Sequence, residues 1–233
     1  MTEQRTVTET YFLFAAEKKG KISGSDPVRT MCLLTAALYE LSAAGYLEFR
    51  ENEVSPLNGS ATLPAYLAQV RKRLREMSSM EYKEIMRDYN NGWTDYHLNR
   101  LTMALGDDLA GRGLATKAKL GVLLNTRTYF IPRRDVLAEA ADSLRDAVAS
   151  PDPLPTETGF LWLLLEKSEL LPAALTEEEK LRMSRRLRLQ CDQDPESELA
   201  KLDALTERFL SLSSSHTYEG TQYLKQKQKR SSR

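Results

Sequence analysis

Residues 25–49, SDPVRTMCLLTAALYELSAAGYLEF, contain the start, the period and the end of one helix, followed by a strand. Asp26 can accept hydrogen bonds from the free N–H groups of a first turn, and Pro27 suits the first helical position because a donor there would have no partner. Apolar side chains then recur every three or four residues. Gly45 fits the left-handed residue after a helix, and residues 46–49 have the composition of a short strand. The stretch predicts a helix packed on a core, stopped by glycine.

Similar patterns predict further helices. Four leucines recur at helical spacing over residues 98–109, before the glycines of a second helix-to-glycine junction at 111–114. Apolar periodicity also predicts helices over residues 7–16 and 63–77, and a last one near 196–212. The segment 159–166, GFLWLLLE, is apolar on nearly every side, so we expect it to lie in the middle of the domain.

Side chains that cap helices mark three further starts. Ser78 with Glu81 forms a possible capping box, and Asp135 stands where a cap is expected before residues 136–148. Thr176 and Glu179 form another possible capping box, before a helix that continues to residue 189. These patterns predict three helices that begin next to the named caps.

One β-hairpin is predicted between the helices. Residues 122–124, VLL, and residues 129–131, YFI, are strand-like and flank the turn-forming residues 125–128. With the elements above, this predicts a mainly α fold: a single globular helical domain around a buried apolar helix, with one or two short β-hairpins. We place this domain at residues 1–212 and a flexible basic tail at 213–233.

Composition restricts the classes of function. The 233 residues contain 33 Lys plus Arg and 33 Asp plus Glu, so no overall field attracts nucleic acid or an anionic membrane. No apolar run approaches the roughly 20 residues that cross a bilayer, and the first residues lack the features of a signal peptide. We expect a cytoplasmic protein, or one on the cytosolic face of a membrane. Cys32 and Cys191 are too few for a disulfide framework, so we expect reduced thiols.

No motif for catalysis, a metal or a cofactor stands out. His97 and His216 are the only histidines, and neither has a second His or Cys at the spacing of metal ligands. The glycines form no phosphate-binding loop, and no serine lies in a nucleophile-elbow pattern. We therefore expect a protein that is not an enzyme, with no catalytic residue, no metal and no cofactor.

Four segments carry a family resemblance. They are LLTAALYELSAAGYLEF at 33–49, LNRLTMALGDDLAGRGLATK at 98–117, the hairpin followed by PRRDVLAEAADSLRDAV at 132–148, and GFLWLLLEKSELL at 159–171. In this order and spacing, the chain resembles the Golgi phosphoprotein 3 family, in its shorter prokaryotic form. The resemblance implies a helical domain around a buried central helix, with a protruding β-hairpin that mediates self-association. On that hairpin we expect Leu123 and Phe130 to make the contact between copies.

The resemblance also implies a function. Eukaryotic relatives are peripheral membrane adaptors that bind phosphatidylinositol 4-phosphate in a shallow pocket and hold the cytosolic tails of glycosyltransferases. The corresponding headgroup positions in this chain are Ser25, Leu34, Asn99 and Thr102. All four are uncharged, so the pocket chemistry of the relatives is not retained there. Arg29 and Arg100 lie close by in sequence and are possible substitute basic residues.

Local clusters of positive charge offer another route to a membrane. The clusters are Arg71, Lys72, Arg73 and Arg75; Lys180, Arg182, Arg185, Arg186 and Arg188; and Lys225, Lys227, Lys229, Arg230 and Arg233. Such residues attract anionic lipid by about 1 kcal/mol each near the surface, or they are simply solvated helix faces and a solubilising tail. Nucleic acid is a less favoured ligand, because no aromatic residues alternate with the basic ones.

Three hypotheses therefore remain. The first is an adaptor that binds a phosphoinositide or an anionic membrane surface. The second is a protein-interaction or self-assembly module without lipid specificity. The third is a winged-helix protein that binds nucleic acid, since helix, glycine and strand follow one another as in that fold.

Overall fold

The computed structural model describes residues 5–19, 22, 26–90, 95–120 and 127–212. In this part of the chain, nine helices accompany two small antiparallel sheets of two strands each. The elements are α1 Val7–Lys19, α2 Pro27–Ala43, β1 Leu47–Phe49, β2 Val54–Pro56, α3 Ala65–Glu76, α4 Tyr82–Tyr89, α5 Tyr96–Gly111, β3 Ala115–Leu120, β4 Arg127–Pro132, α6 Arg134–Ala149, α7 Thr156–Lys167, α8 Glu177–Gln193 and α9 at 198–212. The predicted mainly α fold is confirmed. The tail predicted from residue 213 lies outside the described residues.

The two helix-to-glycine junctions are confirmed and share one geometry. Gly45 has a φ of +75° and Gly113 a φ of +71°, the left-handed conformation that glycine adopts without a Cβ clash. At the first junction the N–H of Tyr46 donates to the carbonyl of Leu41 at 2.9 Å, and at the second the N–H of Leu114 donates to that of Leu109 at 2.8 Å. These bonds satisfy carbonyl groups at the helix end and turn the chain into the strand that follows.

The start of α2 is also confirmed. The carboxylate of Asp26 accepts a hydrogen bond from the N–H of Arg29 at 3.3 Å, and Pro27 occupies the first helical position. Cys32 on this helix is buried, and burial raises the pKa of its thiol to about 12. Cys191 is a free thiol as well.

Of two predicted helix caps, one is confirmed and one is wrong. The capping box of Thr176 and Glu179 is confirmed, since each side chain accepts a hydrogen bond from the other residue's N–H. The prediction that Asp135 caps α6 is wrong by two positions, because Arg133 is the capping residue. Asp135 lies in the first turn, where its carboxylate pairs with the guanidinium of Arg133. A carboxylate in the first turn still favours the helix through its dipole.

The predicted capping box of Ser78 and Glu81 is wrong. The helix α4 begins at Tyr82, and Glu81 precedes it without a capping bond from its side chain. The N–H of Glu81 donates instead to the hydroxyl of Ser79 at 3.2 Å, and the N–H of Tyr82 donates to the carbonyl of Asn52 at 3.0 Å. The chain is therefore paired with the β1–β2 turn at this point.

The apolar helix α7 lies in the core, as predicted. Every residue from Gly159 to Leu165 is buried, and the side chain of Trp162 is fully buried. The helix packs against α1, α2 and α6. A Cβ built on Gly159 would lie 2.8 Å from Cδ2 of Leu199, so the glycine allows α9 to approach closely.

The hairpin forms with a different first strand. The strand β3 starts at Ala115, directly after the second junction, and pairs with β4 from Ala115 opposite Pro132 to Leu120 opposite Arg127. The predicted first strand at 122–124, which includes Leu123, lies outside the described residues. The predicted turn at 125–128 is wrong where it overlaps β4, since residues 127 and 128 are paired with β3.

Phe130 does not lie on the surface of this hairpin. Its side chain is 2% exposed, and its ring packs edge-on against Phe12, with 6.3 Å between the ring centroids. A Cβ on Gly106 would fall 2.3 Å from the Phe130 ring, so the ring rests directly on the backbone of α5. The expected contact between copies through this ring is therefore wrong for the folded domain. Its neighbour Ile131 is 50% exposed.

Candidate functional site

Two of the headgroup positions implied by the resemblance lie in the core. Leu34 is fully buried in α2. Thr102 is 7% exposed, and its hydroxyl donates to the carbonyl of Leu98 at 3.0 Å, within its own helix. Asn99 is exposed on α5, whereas Ser25 lies outside the described residues. A headgroup could not reach the first two side chains without opening the core.

The two possible substitute arginines lie in different surroundings. The guanidinium of Arg29 is 3.3 Å from the carboxylate of Asp26, and its side chain is 14% exposed. Its backbone carbonyl accepts a hydrogen bond from the hydroxyl of Tyr11 on α1 at 3.3 Å. Arg100 is exposed on α5 and lines a pocket with residues of α3 and α4. Arg100 therefore borders a pocket and is open to solvent, whereas the side chain of Arg29 is mostly buried.

This α3–α5 pocket is small, with a volume of about 50 Å³, and it is bordered by charged side chains. Its ionisable lining consists of Lys72, Arg73, Glu76, Tyr89, His97 and Arg100. The three cations outnumber the one carboxylate of the lining. The pocket therefore presents a positive potential where three helices meet.

The three cations differ in how far they are neutralised. Arg73 is paired with Asp88 through two bonds, Nε to Oδ2 at 2.8 Å and Nη2 to Oδ1 at 2.6 Å, and this contact raises the pKa of Arg73. Lys72 is exposed, and its Nζ lies as far as 3.9 Å from Oε1 of Glu76, so the two form a weak surface pair. Arg100 donates to the hydroxyl of Tyr96 at 3.2 Å, a neutral partner. Lys72 and Arg100 are thus the cations that can receive an anion.

His97 lies beside them as a polar but neutral group at pH 7. Burial lowers the pKa of His97, and the charges of Arg73 and Arg100 lower it further, although the carboxylate of Asp88 at 3.8 Å acts against them. The neutral imidazole can donate a hydrogen bond to a ligand, or accept one from it, without adding charge. Sequence reasoning gave this histidine no role, because its neighbours in the pocket come from α3 and α4.

The basic cluster of α3 extends beyond the pocket. Arg71, Lys72 and Arg75 line an adjoining cavity of about 290 Å³. The guanidinium of Arg71 lies 3.9 Å from the centroid of the Tyr46 ring, so it also serves the packing of the first junction. The predicted cluster therefore forms one basic strip next to the α3–α5 pocket.

The other basic clusters are less concentrated. On α8, Arg186 points inward and donates to the carbonyl of Ala147 at 2.8 Å, while Arg182 pairs with Glu178 at 3.2 Å. Arg185 and Arg188 are exposed. The cluster at 225–233 lies outside the described residues.

Another cleft is larger than this pocket and is lined by more carboxylates than cations, with Arg5 as its basic residue. Residues of α1, α2, α6 and α7 line a volume of about 730 Å³, which includes Glu40, Glu139 and Glu157. Burial raises the pKa of Glu40, whose oxygens accept hydrogen bonds from the N–H of Thr8 at 2.7 Å and the hydroxyl of Tyr66 at 2.9 Å. These bonds join α1, α2 and α3. Among the described residues, no group of three or more His, Cys, Asp and Glu side chains is arranged to hold a metal ion.

The comparison with family models decides the family. A model described as Golgi phosphoprotein 3 (GPP34) matches residues 7–205, most of the chain. The chain belongs to the Golgi phosphoprotein 3 family. Comparison with curated proteins gave no match. The helix-glycine-strand junctions that suggested a winged helix thus lie in a chain of this family. Within the ranges described above, no helix is both long and apolar enough to cross a bilayer.

Proposed function

We propose that this member of the Golgi phosphoprotein 3 family is a non-enzymatic adaptor that binds an anionic membrane surface through the α3–α5 pocket. A phosphoinositide such as phosphatidylinositol 4-phosphate is the preferred lipid, and no cofactor is required. The observation that carries the proposal is Arg100, an exposed cation at a pocket that also contains Lys72. It stands on α5 next to Asn99, one of the positions that the family resemblance assigns to the headgroup.

The chemistry of the pocket suits a phosphate group. A guanidinium forms charge-assisted hydrogen bonds with phosphate oxygens, and each is worth about 1.5–3 kcal/mol when well placed. Lys72 offers a second charge, and the adjoining strip adds about 1 kcal/mol for each further basic residue near an anionic bilayer. The chain would thus lie on the cytosolic face of a membrane. There it would be free to hold cytosolic protein tails as partners. Nucleic acid stays a less favoured ligand, because no aromatic residues alternate with the basic residues at 71–75.

Replacing Arg100 with alanine is expected to weaken binding to vesicles that contain phosphatidylinositol 4-phosphate by about tenfold, the loss of one charge-assisted contact. Co-sedimentation at physiological salt measures the effect. Arg87→Ala is the matched control, because Arg87 is 61% exposed on α4, pairs with Glu84 and does not line the pocket. It removes the same charge and should bind as the parent protein does.

Vesicles matched in charge with phosphatidylserine separate specific from general attraction. If the parent protein pellets equally on both kinds of vesicle, the phosphoinositide preference is wrong and only charge attraction remains. If it pellets on neither, the membrane function itself is wrong. Equal losses for Arg100→Ala and Arg87→Ala would place the binding site outside the α3–α5 pocket.

A second candidate function is self-association through the β3–β4 hairpin. The observation that favours it is Ile131, a large apolar side chain that is 50% exposed on β4. Phe130 faces the core, so the contact would use the opposite face of the strand. Leu123 remains a proposed contact residue, and a homo-oligomer would bury both side chains from water.

Replacing Ile131 with serine is then expected to shift an oligomer towards the monomer, because burial of the exposed half of one isoleucine contributes about 0.8–1.5 kcal/mol for each copy. Light scattering measures the mass. Leu189→Ser is the control, since Leu189 is 59% exposed on α8, away from the hairpin. A parent protein that is already a monomer at high concentration would contradict this function.

A further inference from the structure

A groove with an apolar floor lies between α2, the β1–β2 turn and α9. Its volume is about 420 Å³, within the range of about 300–1,000 Å³ typical of sites for small organic ligands. The apolar part of its lining consists of Tyr39, Phe49, Tyr82, Leu202, Ala204 and Leu205. We call it the α2–α9 groove.

Contacts at both ends of α9 hold the groove open. Near the start of the helix, Leu199 packs into the space left by Gly159. Near its end, the guanidinium of Arg208 donates to the carbonyl of Glu51 and to the side-chain oxygen of Asn52, across the mouth of the groove. Since both ends are fixed, the gap between α9 and the β1–β2 turn is present before any ligand binds, which lowers the cost of binding.

The walls favour an apolar ligand. Leu202 and Leu205 of α9 are 3% and 8% exposed and form the floor, and Phe49 at the end of β1 is half-buried opposite them. Water in such a gap makes few hydrogen bonds. An alkyl chain that replaces it gains by removing apolar surface from water, on its own side and on the side of the protein.

The rim adds positive charge. Arg50, Lys201 and Arg208 border the groove, against the two carboxylates Glu51 and Glu198. Lys201 is 62% exposed and 3.1 Å from Glu196, a surface pair that an incoming anion can replace at little cost. The hydrogen-bond partners of Arg208 are a backbone carbonyl and an amide oxygen, both neutral. Arg50 is paired with Glu48 at 3.6 Å, so an anionic group would lie instead between Lys201, whose pair is weak, and Arg208, whose partners are neutral.

We propose that the α2–α9 groove binds one single-chain anionic amphiphile. Its alkyl chain lies against Phe49, Leu202 and Leu205, and its anionic end lies between Lys201 and Arg208. A free fatty acid and a single-chain phospholipid share this chemistry, a long alkyl chain ended by a carboxylate or a phosphate. The groove shares no lining residue with the α3–α5 pocket, so the inference stands apart from the proposed membrane function.

Isothermal titration of the full chain tests the proposal, with dodecanoate, dodecyl phosphate and dodecanol, each below the concentration at which it aggregates. We expect 1:1 binding of the two anions, and binding of the alcohol that is weaker by about fivefold or more, because it lacks the charge. Comparison of carboxylate with phosphate indicates which class of lipid the groove prefers.

Two variants locate the site. Ala204→Trp places an indole in the groove and should weaken dodecanoate binding by about tenfold or more, since even one methylene too many is costly in a filled pocket. Ala138→Trp is the matched control, because Ala138 is exposed in the first half of α6 and does not line the groove. Lys201→Glu, an exposed position that should not affect folding, is expected to weaken binding of the anions but not of dodecanol.

The proposal is wrong if the parent protein binds neither anion, or if Ala204→Trp binds dodecanoate as tightly as Ala138→Trp does. Binding of dodecanol as tight as that of dodecanoate would remove the role of the rim charges. Vesicle binding through the α3–α5 pocket should be the same in Ala204→Trp and in the parent protein, so failure of one proposal is distinguishable from failure of the other.

Discussion

Phe130→Ser is expected to lower the free energy of unfolding by about 3–5 kcal/mol, the usual cost of removing a buried aromatic side chain. Phe130 is 2% exposed, packs on Phe12 and covers the backbone of α5 at Gly106, where even a Cβ would fall 2.3 Å from the ring. Serine would leave a cavity and bury a hydroxyl group. Urea unfolding followed by circular dichroism measures the loss, as a shift of the midpoint with an unchanged slope.

The neighbouring residue provides the control. Ile131→Ser acts on the opposite face of the same strand, where the side chain is 50% exposed, and should change stability by no more than about 0.5 kcal/mol. Equal losses for the two variants would contradict the assignment of Phe130 to the core. The comparison also bears on self-association. A Phe130 variant could dissociate simply because its subunits unfold, so only the Ile131 variant tests an interface between folded copies.

The parts of the fold that the sequence predicts correctly depend on contacts within a few residues. The stop at Gly45 needs only the left-handed φ of that glycine and a bond from Tyr46 back to Leu41. The capping box of Thr176 and Glu179 is equally local. Such signals lie within one turn of a helix, so they can be read without knowledge of the tertiary structure.

The errors occur where distant segments decide. The helix α4 begins at Tyr82 because its N–H pairs with Asn52, thirty residues earlier, and this pairing outweighs the local preference for a capping box. In the hairpin, apolar residues 122–124 looked more strand-like than β3, which contains lysines. Lys117 is placed by a contact with Asp107 of α5 at 2.6 Å, which the sequence pattern does not indicate.

The candidate site was only partly accessible to sequence reasoning. Arg100 was identified through its nearness to the headgroup positions, and the basic cluster of α3 was recognised as a cluster. Their meeting in one pocket with His97 depends on how α3, α4 and α5 pack. Arg100 is exposed, whereas Leu34 and Thr102 are buried. An alignment of positions could not show this difference, because it does not tell which side chains face the core.

Arg112→Ala is expected to lower the free energy of unfolding by about 3 kcal/mol, because it leaves a buried carboxylate without its cation. The guanidinium of Arg112 is 2.6 Å from the carboxylate of Glu9, whose side chain is 6% exposed, and 2.8 Å from that of Asp108. Glu9 also forms a capping box with Thr6, in which each side chain accepts a hydrogen bond from the other residue's N–H. The ion pair thus joins the start of α1 to the second helix-to-glycine junction.

A second substitution separates the charge from the packing of Arg112. Adding Glu9→Gln to Arg112→Ala removes the unpaired charge, while the amide oxygen of glutamine can still accept the hydrogen bond from the N–H of Thr6. The double variant should therefore recover about half of the lost stability in urea unfolding. Arg182→Ala is the control, since Arg182 pairs with Glu178 on an exposed face of α8 and its removal should cost less than about 1 kcal/mol. If Arg112→Ala costs no more than this control, or if Glu9→Gln recovers nothing, the buried charge of Glu9 does not depend on Arg112, and the contact between α1 and the junction rests on apolar packing alone.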